Sequence, residues 1–398
     1  MLSGAACRTA RRALGAALCR TARRRAQHTA VPRVYVSHAL DPWRNLAVED
    51  YFLRGVPPDV PVCYLYQNAP CVVVGKNQNS WGELDARAMQ REQVALVRRQ
   101  SGGGAVYHDA GNLNFSFHVP KATFARRTHT ELVARALARP PLALPERLGR
   151  APVFVNERND MCVYAAGATA PDAAAVRKVS GSAYRMVNQR AYHHGTLLLD
   201  TQLDRMRVLR RRTRATITSR GVDSVPSPVA NLAEVFPEQR AQLTFERIAE
   251  AIYQEFLRTY GAGELHSVDD ALLDAQVPLG RHRSRPVHEA AAEMRSWDWV
   301  YGASPEFEVR VDAAGGAALP DVRHLVLQLT CRHGRVHTAE VHRVEPSSQE
   351  AAVRDAASRL VGVPYDAIAV APPGPPAPAA PPSTPAERAL RTWLREQL

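Results

Sequence analysis

Three consecutive glycines, Gly102 to Gly104, restrict most strongly what this chain can form. They follow two arginines, Arg98 and Arg99, and precede a pattern typical of a β-strand. A run without Cβ atoms lets a ligand lie against the backbone and lets N–H groups approach an anion. Its spacing fits neither the phosphate-binding G-x-x-x-x-G-K-[ST] loop nor the dinucleotide-binding G-x-G-x-x-G motif. Taken alone, the run could equally form an ordinary flexible turn.

Strand and helix patterns alternate on both sides of these glycines. Residues 113–119 alternate apolar and polar side chains, which places one face of a strand in a core. Further strand patterns cover 62–66, 71–74, 153–163 and 178–199. Helical patterns cover 41–55, with Asp41 as N-cap, then 83–94 and 130–138, and a strong one follows Thr244. The fold class predicted is α+β, with mixed or antiparallel sheets flanked by helices.

A change of pattern after residue 235 predicts a second, smaller α+β domain. Two strands flank a tight turn at His333-Gly334, and a helix is predicted over 349–360. We therefore predict a main domain over 33–235 and an accessory domain over 240–365. Residues 371–398 are rich in Pro and Ala, and we predict a semi-rigid linker that ends in a short amphipathic segment around Trp393.

The positive charge of the chain is concentrated at its N-terminus. The net charge is +12, and residues 1–30 contain seven arginines and no acidic residue. This composition, without a long apolar segment, is typical of a mitochondrial transit peptide, although a disordered basic tail is the alternative. It predicts localisation in the mitochondrial matrix and leaves the rest of the protein only mildly basic.

Composition also argues against several classes of protein. No apolar run approaches 18 residues, so we expect no membrane-spanning helix and no membrane partner. Aromatic residues make up 7% of the chain, which does not favour nucleic-acid binding. The six cysteines show no metal-ligand spacing, which predicts free thiols and no metal site.

Lys178 stands out because the chain contains three lysines against forty-eight arginines. Where nearly every cation is arginine, a retained lysine suggests that a compact point charge is needed, although a solvated surface lysine remains the alternative.

Four segments closely resemble the lipoate-protein ligase and lipoyltransferase family. Residues 98–112, from the two arginines through the glycines to Gly111-Asn112, match its RR-x-SGGG-x-V-[YF]-HD-x-GN signature. Residues 178–183 match K-[IV]-SG-[ST]-A, and residues 191–198 match the AYHH-x-TLL run of the mitochondrial lipoyltransferase branch. Residues 297–302 resemble the W-x-W-x-Y-G segment of its accessory domain. The resemblance implies the biotin/lipoate-ligase catalytic fold.

The resemblance also implies chemistry through lipoyl-AMP, a mixed anhydride that is attacked by a lysine amine of the acceptor. It assigns Lys178 as the catalytic cation that neutralises the charge developing on the carbonyl and phosphate oxygens. It implies lipoyl-AMP binding by Arg99, Gly102, Gly103, Gly104, Ala105, Val106, Tyr107, Arg158, Lys178, Thr196, Val225 and Ser227.

Two departures from the family pattern bear on this site. Val225 stands where the family pattern has a threonine, so it can offer a ligand only backbone contacts. An Ala-rich insert, residues 165–175, lengthens the chain between Arg158 and Lys178. We expect it to loop out as an exposed hairpin that leaves Lys178 in place.

Other eye-catching residues are expected to be structural. His193 and His194 are adjacent on a strand and so point to opposite faces, which disfavours a shared metal ion. Cys162 is expected to be a buried strand cysteine rather than a nucleophile. The basic run 205–214 is interpreted as a solvated helix face, or as a surface that attracts acidic partners.

The function predicted is transfer of a lipoyl group to a specific lysine of the lipoyl domains of 2-oxoacid dehydrogenase acyltransferase subunits. The donor is lipoyl-AMP or the lipoylated glycine-cleavage H protein. One alternative is a full lipoate-protein ligase, which would also need ATP and Mg, and the other is a non-catalytic lipoyl-adenylate carrier. The protein is expected to be a monomer.

Overall fold

The computed structural model describes residues 30–209, 215–280, 283–374 and 379–398. The segment predicted as a transit peptide lies outside the described residues, except for Ala30. Within the described part, no helix combines the length and the apolar character needed to cross a membrane.

The predicted α+β class is confirmed, since strands and helices alternate along the chain. The strands are β1 (Arg33–Val36), β2 (Val62–Tyr66), β3 (Cys71–Val74), β4 (Ala95–Arg98), β5 (Val106–His108), β6 (Asn112–Pro120), β7 (Phe154–Val155), β8 (Met161–Tyr164), β9 (Val176–Lys178), β10 (Ser182–Val187), β11 (Arg190–Leu198), β12 (Thr216–Ser219), β13 (Glu264–Ser267), β14 (Gln276–Gly280), β15 (Arg283–Pro286), β16 (Phe307–Ala314), β17 (His324–Arg332) and β18 (Arg335–Glu345). The α-helices are α1 (Pro42–Arg54), α2 (Ser80–Glu83), α3 (Ala86–Arg91), α4 (Arg126–Ala138), α5 (Leu232–Val235), α6 (Phe245–Tyr260), α7 (Asp270–Asp274), α8 (Val287–Arg295), α9 (Glu350–Ser358) and α10 (Pro385–Gln397).

A six-stranded mixed sheet in the order β10-β11-β6-β2-β1-β13 forms the centre of the molecule. Strands β1, β2 and β13 are parallel, whereas β2, β6, β11 and β10 pair antiparallel. Helices α4 and α6 cover one face of this sheet, and α1 and α8 lie against the other. Strand β6 is therefore buried on both faces, including its polar positions Asn114, Ser116 and His118, rather than on the single face predicted.

The predicted helix boundaries hold where a capping residue marks them. Asp41 accepts hydrogen bonds from the backbone N–H groups of Trp43 and Arg44 at the start of α1, as predicted. The single helix predicted over 83–94 is instead two short helices. Asp85 accepts a hydrogen bond from the N–H of Ala88 and begins a new helix, α3, at that point.

Two smaller three-stranded sheets flank the site described below. Sheet β4-β3-β5 leads into the glycine run, and the antiparallel sheet β7-β8-β9 ends at Lys178. The insert over 165–175 connects β8 to β9 as a largely exposed hairpin, closed by a hydrogen bond from Ala165 N to Ala175 O. The predicted looping-out is confirmed, since Lys178 still pairs with Cys162 across the hairpin.

The boundary between the two predicted domains needs correction. Segments beyond residue 240 belong to the main body, because α6 packs on the central sheet, β13 extends it, and α8 packs beside α1. Conversely, β12, which precedes residue 235, pairs with β16 in the C-terminal antiparallel sheet β12-β16-β17-β18. The predicted hairpin turn at His333-Gly334 is present, with φ of 49° and 70° at its two residues.

Arg98 joins the C-terminal region to the base of the glycine run. This arginine is fully buried, and its guanidinium donates to the carbonyl of Val300 and the hydroxyl of Ser304. The same group donates to the carbonyls of Gly75, Lys76 and Gln78. Both regions are thus held by one side chain.

The amphipathic segment predicted around Trp393 is the helix α10, but the expectation that this tail forms only a linker is wrong, because the helix packs on the rest of the protein. Leu390, Trp393 and Leu394 are buried in the core of the C-terminal sheet, and the Trp393 indole donates to the carbonyl of Ala314 at 2.8 Å. Thr384 caps the helix through the N–H of Glu387. The apolar residues are few, but helical spacing gathers them on one face.

Replacing Trp393 with alanine should lower the free energy of unfolding by about 3–5 kcal/mol, the usual cost of deleting a buried Trp. Urea unfolding measures the change. The exposed Arg388→Ala on the same helix is the control, with little effect expected. Equal stability of the two variants would show that α10 does not pack as described.

Candidate functional site

One cavity of about 620 Å³ collects most of the residues predicted to bind a ligand. The glycine run, β9 to β11 and the loops around residues 159 and 224 form its walls. Ten of the twelve predicted residues line it: Arg99, Gly102, Gly103, Gly104, Ala105, Val106, Arg158, Lys178, Thr196 and Val225. Tyr107 and Ser227 are not among the lining residues.

Tyr107 requires a correction. Side chains alternate along a strand, so Val106 and His108 in β5 face the cavity and Tyr107 faces the other way. Its ring is 1% exposed in a core with Val72 and Leu96, and burial raises the pKa of its hydroxyl to about 12. The ligand contact predicted for its side chain is therefore not supported by the geometry.

In the loop over 224–227, Ser224 lines the cavity and hydrogen-bonds the end of the glycine run, which the sequence did not predict. Its hydroxyl accepts from the N–H of Ala105 at 2.9 Å and lies 3.1 Å from Nε2 of Gln78. Its own N–H donates to the carboxylate of Glu83. Val225 lies at the cavity rim with 66% of its surface exposed. Ser224 was missed because hydroxyl spacing along a loop does not reveal which residue turns inward.

The glycine run is held in shape by close backbone packing. Gly103 has φ of +86°, a left-handed conformation that favours glycine. The backbone of Gly75 packs so closely that a Cβ there would stand 2.1 Å from the carbonyl oxygen of Gly103. A Cβ at Gly104 would stand 3.0 Å from the Ser224 hydroxyl. Gly75 therefore requires glycine for backbone packing and Gly103 for its backbone conformation, whereas a side chain at Gly104 would press against Ser224.

Arg99 stabilises the glycine run through hydrogen bonds to its carbonyl groups. Its Nη2 donates to the carbonyls of Gly102 and Gly104 at 2.6 and 2.8 Å, and its Nε donates to the hydroxyl of Ser101. Burial lowers the pKa of the guanidinium to about 10, which leaves it charged at neutral pH. In the described part of the chain its bonds go to carbonyl and hydroxyl oxygens, so its positive charge adds to the field of the cavity.

Lys178 is fixed at the end of β9 by its own backbone. Its N–H donates to the carbonyl of Pro228, and its carbonyl accepts from the N–H of Ala230. Its ammonium nitrogen lies 2.7 Å from a carboxylate oxygen of Asp160, and both side chains line the cavity. Lys178, its ion-pair partner Asp160 and the glycine run therefore border the same cavity.

The charge of the cavity wall suits an anionic ligand. Its lining includes four basic side chains, those of Arg99, Arg126, Arg158 and Lys178, against the carboxylates of Asp160 and Asp223. Four minus two leaves a surplus of two positive charges, which favours phosphate or carboxylate groups.

A hydrogen-bonded chain that sequence reasoning missed crosses the cavity wall. His194 lies 2.8 Å from the carboxylate of Glu49 through Nδ1 and 2.8 Å from the hydroxyl of Ser101 through Nε2. Ser101 in turn accepts from Arg99. Glu49 lies among apolar residues of α1 that the helical pattern assigns to the core, and a carboxylate at such a position was the signal that could have revealed it.

His193 points away from this chain, as predicted for adjacent strand residues. It packs between the rings of Phe115 and His129 on the opposite face of β11. Among the described residues, no group of three potential metal ligands comes together.

Cys162 is a buried strand cysteine, as predicted. It is 2% exposed, and burial raises the pKa of its thiol to about 11, so the reactive thiolate is disfavoured. Cys63, Cys71, Cys162 and Cys331, the cysteines in the described residues, are all free thiols.

The basic run over 205–214 is only partly described. Arg205 and Arg207 both pair with Glu92, and residues 210–214 lie outside the described residues. Because Glu92 neutralises part of the positive charge of Arg205 and Arg207, this surface should attract an acidic partner less strongly.

A cation-rich cavity built on a glycine run is suited to an anionic ligand that lies close to the backbone. Comparison with known proteins makes the class specific. Residues 41–257, more than half of the chain, match the family model of the lipoyl protein ligase A/B catalytic domain. The chain belongs to this family.

Solved structures show the same fold. The chain is similar to LipL1 of P. falciparum, solved in complex with lipoate, at 21% identity, a TM-score of 0.53 and coverage of 84% of this chain and 91% of that one. It is also similar to a bipartite lipoate protein ligase of Thermoplasma acidophilum, described with its E2 lipoyl domain, at 18% identity and a TM-score of 0.50. That match covers 68% of this chain and 96% of the other. The predicted fold is confirmed.

Proposed function

We propose that this protein transfers a lipoyl group from lipoyl-AMP to a specific lysine of lipoyl domains in 2-oxoacid dehydrogenase complexes. One observation carries the proposal: the ammonium of Lys178 and the glycine run line the same cation-rich cavity. Membership in the lipoyl protein ligase family supports attachment of lipoate as the general activity.

The reaction needs charge stabilisation at two oxygens. The acceptor's lysine amine attacks the lipoyl carbonyl carbon, a C–N bond forms, and the C–O bond to phosphate breaks. AMP leaves with the bonding electron pair, and the amine releases a proton. Negative charge builds first on the carbonyl oxygen and then on the phosphate, and a fixed ammonium such as that of Lys178 stabilises both.

In this proposal, different parts of the cavity bind different parts of lipoyl-AMP. The glycine run offers close approach to the backbone, and Arg158 and Lys178 offer positive charge at the open side. The Asp160 carboxylate keeps the Lys178 ammonium directed along the wall before the ligand binds. This pre-orientation reduces the reorganisation that the transition state would otherwise require.

Transfer without ATP-dependent activation is the form of the activity that we favour. At position 225 a valine side chain stands exposed at the rim, and it has no hydroxyl for a phosphate. The resemblance of residues 191–198 to the mitochondrial lipoyltransferase branch supports the same choice. The full ligase, dependent on ATP and Mg, is the second candidate.

An assay that supplies either lipoyl-AMP or free lipoate distinguishes transfer alone from the full ligase activity. Purified protein is incubated with an apo lipoyl domain and either lipoyl-AMP, or lipoate with ATP and Mg. We expect lipoylated product, detected by intact mass, with lipoyl-AMP alone. Product from lipoate and ATP would establish a full ligase. Binding of lipoyl-AMP without product under any condition would indicate a carrier and would refute transfer.

A separate assay tests the physiological donor of the lipoyl group. Lipoylated H protein is offered with AMP and the apo lipoyl domain, and with the apo domain alone. Product in the presence of AMP would identify the H protein as a source of the lipoyl group, because reversal of transfer re-forms lipoyl-AMP.

We further propose that the protein works in the mitochondrial matrix. The support is the acid-free segment 1–30 with its seven arginines. Import of the full chain into isolated mitochondria, followed by protease protection, tests this. A chain that starts at residue 31 should remain outside.

A further inference from the structure

One arginine that lines the cavity stands where the stability of the fold does not explain it. Arg126 is the first residue of α4, and it is exposed to solvent. The N-terminus of a helix is the positive end of its dipole, so an acidic residue there is stabilising and an arginine is unfavourable. The first turn of α4 contains no acidic residue, and Ala125 provides no side-chain cap. Helix stability therefore gives no reason for a cation at this position.

The neighbouring arginine has a counter-ion, whereas Arg126 has none among the described residues. Nε of Arg127 lies 2.7 Å from a carboxylate oxygen of Glu131, one turn along α4. The guanidinium of Arg126 instead lies over the ring of Tyr184, 3.9 Å from the ring centroid, and donates to the Tyr184 hydroxyl at 2.8 Å. These two contacts hold the guanidinium in place, but they involve no carboxylate. Its positive charge is therefore uncompensated within the part of the chain that the structure describes.

The surface around Arg126 continues from the cavity onto β10. This strand is at the edge of the central sheet, where β11 is its one neighbour among the described strands. Tyr184 lines the cavity, and 38% of its surface is exposed. Met186 lies two residues further along the same face of β10, is 41% exposed and is not part of the cavity lining. A ligand within the cavity does not cover Met186, whereas a protein docked at the opening can contact all three side chains.

We infer that Arg126, Tyr184 and Met186 form a docking surface for the acceptor protein. The inference rests on the proposed function, because the acceptor's lysine has to enter the cavity that Arg126 and Tyr184 line. Arginine, tyrosine and methionine are enriched in protein–protein interfaces relative to the rest of the surface. The uncompensated guanidinium fits a carboxylate of the partner, and the exposed ring and thioether fit apolar groups beside it. The partner is a lipoyl domain with an acidic residue close to its target lysine.

Reversing the charge of Arg126 tests this docking surface. Arg126→Glu places an acid at the first position of α4, which favours the helix, so the variant should fold. We expect the KM for an apo lipoyl domain to rise at least about tenfold, because like charges that face each other across an interface are strongly unfavourable. The KM for lipoyl-AMP should change far less. A rise in the KM for lipoyl-AMP with the KM for the domain unchanged would show that Arg126 binds the adenylate, and it would overturn the inference.

Arg127→Glu is the matched control, since it makes the same change of charge at the next residue of α4. Arg127 is exposed, is paired with Glu131 and is not part of the cavity lining. We expect its KM for the domain to stay within about threefold of the wild-type value, because exposed charges outside a contact are screened by salt. Equal rises in the two variants would show that the net charge of this region, rather than a contact of Arg126, attracts the domain.

The part of the surface outside the cavity is tested at Met186. Met186→Asp adds an acid on the exposed face of β10 without altering the cavity lining. It should raise the KM for the domain and leave the KM for lipoyl-AMP unchanged. An unchanged KM for the domain would overturn the extension of the docking surface onto β10.

An exchange of charges identifies the contact on the partner. Each carboxylate of the apo lipoyl domain near the target lysine is replaced in turn by lysine, and every variant domain is assayed with wild-type protein and with Arg126→Glu. We expect one replacement to weaken transfer by the wild type and to restore at least part of the kcat/KM that Arg126→Glu loses, as close charge pairs are energetically coupled. No restoration by any replacement would refute the inference. Absence of transfer from lipoyl-AMP to the unmodified domain by the wild type would instead refute the proposed function.

Discussion

Replacing Lys178 with alanine should slow transfer from lipoyl-AMP by about 10²–10³-fold, the usual effect of removing one group that stabilises a developing oxyanion. The ammonium lines the cavity beside the glycine run and is aimed by Asp160 at 2.7 Å. Its loss removes charge needed mainly in the transition state, so lipoyl-AMP binding should fall much less than the rate. Single-turnover kinetics with an apo lipoyl domain measure the rate, and titration of lipoyl-AMP measures the binding.

Lys121 provides the matched control for this variant. It is an exposed lysine away from the cavity lining, and Lys121→Ala should transfer at the wild-type rate. Lys178→Arg should recover only part of the loss, because a planar fork cannot reproduce a compact point charge in the same place. A wild-type rate in Lys178→Ala would contradict the catalytic role and favour a carrier.

Replacing Gly75 with alanine should abolish tight binding of lipoyl-AMP, with a loss of at least about 10²-fold in kcat/KM, since misplacing a binding element by about 1 Å can cost that much. The added Cβ would stand 2.1 Å from the carbonyl oxygen of Gly103, so the glycine run must move. The obstacle is backbone, which cannot rotate aside like a side chain. Titration of lipoyl-AMP and transfer kinetics report the loss.

Gly167→Ala is the matched control because it makes the same substitution outside the cavity, in the exposed hairpin over 165–175. A Cβ at Gly167 would meet nothing within 4 Å, and its φ is not left-handed. We expect activity within about threefold of wild type at this exposed position, as for most substitutions without a clash. Similar losses in Gly75→Ala and Gly167→Ala would contradict the packing explanation.

Sequence alone predicted the parts of this molecule that depend on local chemistry. The N-cap at Asp41, the strand after the glycine run and the exposed hairpin over 165–175 all follow from short-range patterns. The family motifs also named ten residues that do line one cavity. Such patterns depend only on residues that are close in sequence, so they can be recognised without knowledge of the rest of the chain.

The errors arose where long-range contacts decide the outcome. Alternation along β5 could have shown that Tyr107 and its neighbours face opposite ways, but it does not say which side holds the cavity. Helix α10 is stabilised by contacts distant in sequence, such as the bond from Trp393 to Ala314, 79 residues away, which a local count of apolar residues cannot detect. The bond between Glu49 and His194 joins residues far apart in the chain, and no spacing rule predicts it.

The two neighbouring arginines have a consequence for regulation at a distance. The guanidinium of Arg98 donates hydrogen bonds both to Val300 and Ser304 and to the carbonyl of Gly75. The neighbouring Arg99 donates to a carbonyl of the glycine run. Displacement of the C-terminal segment would leave a fully buried charge without several of its acceptors, which is costly. We therefore expect that a ligand which binds only to the ordered glycine run would also stabilise the packing of the C-terminal segment, and such a coupling would be equal in both directions.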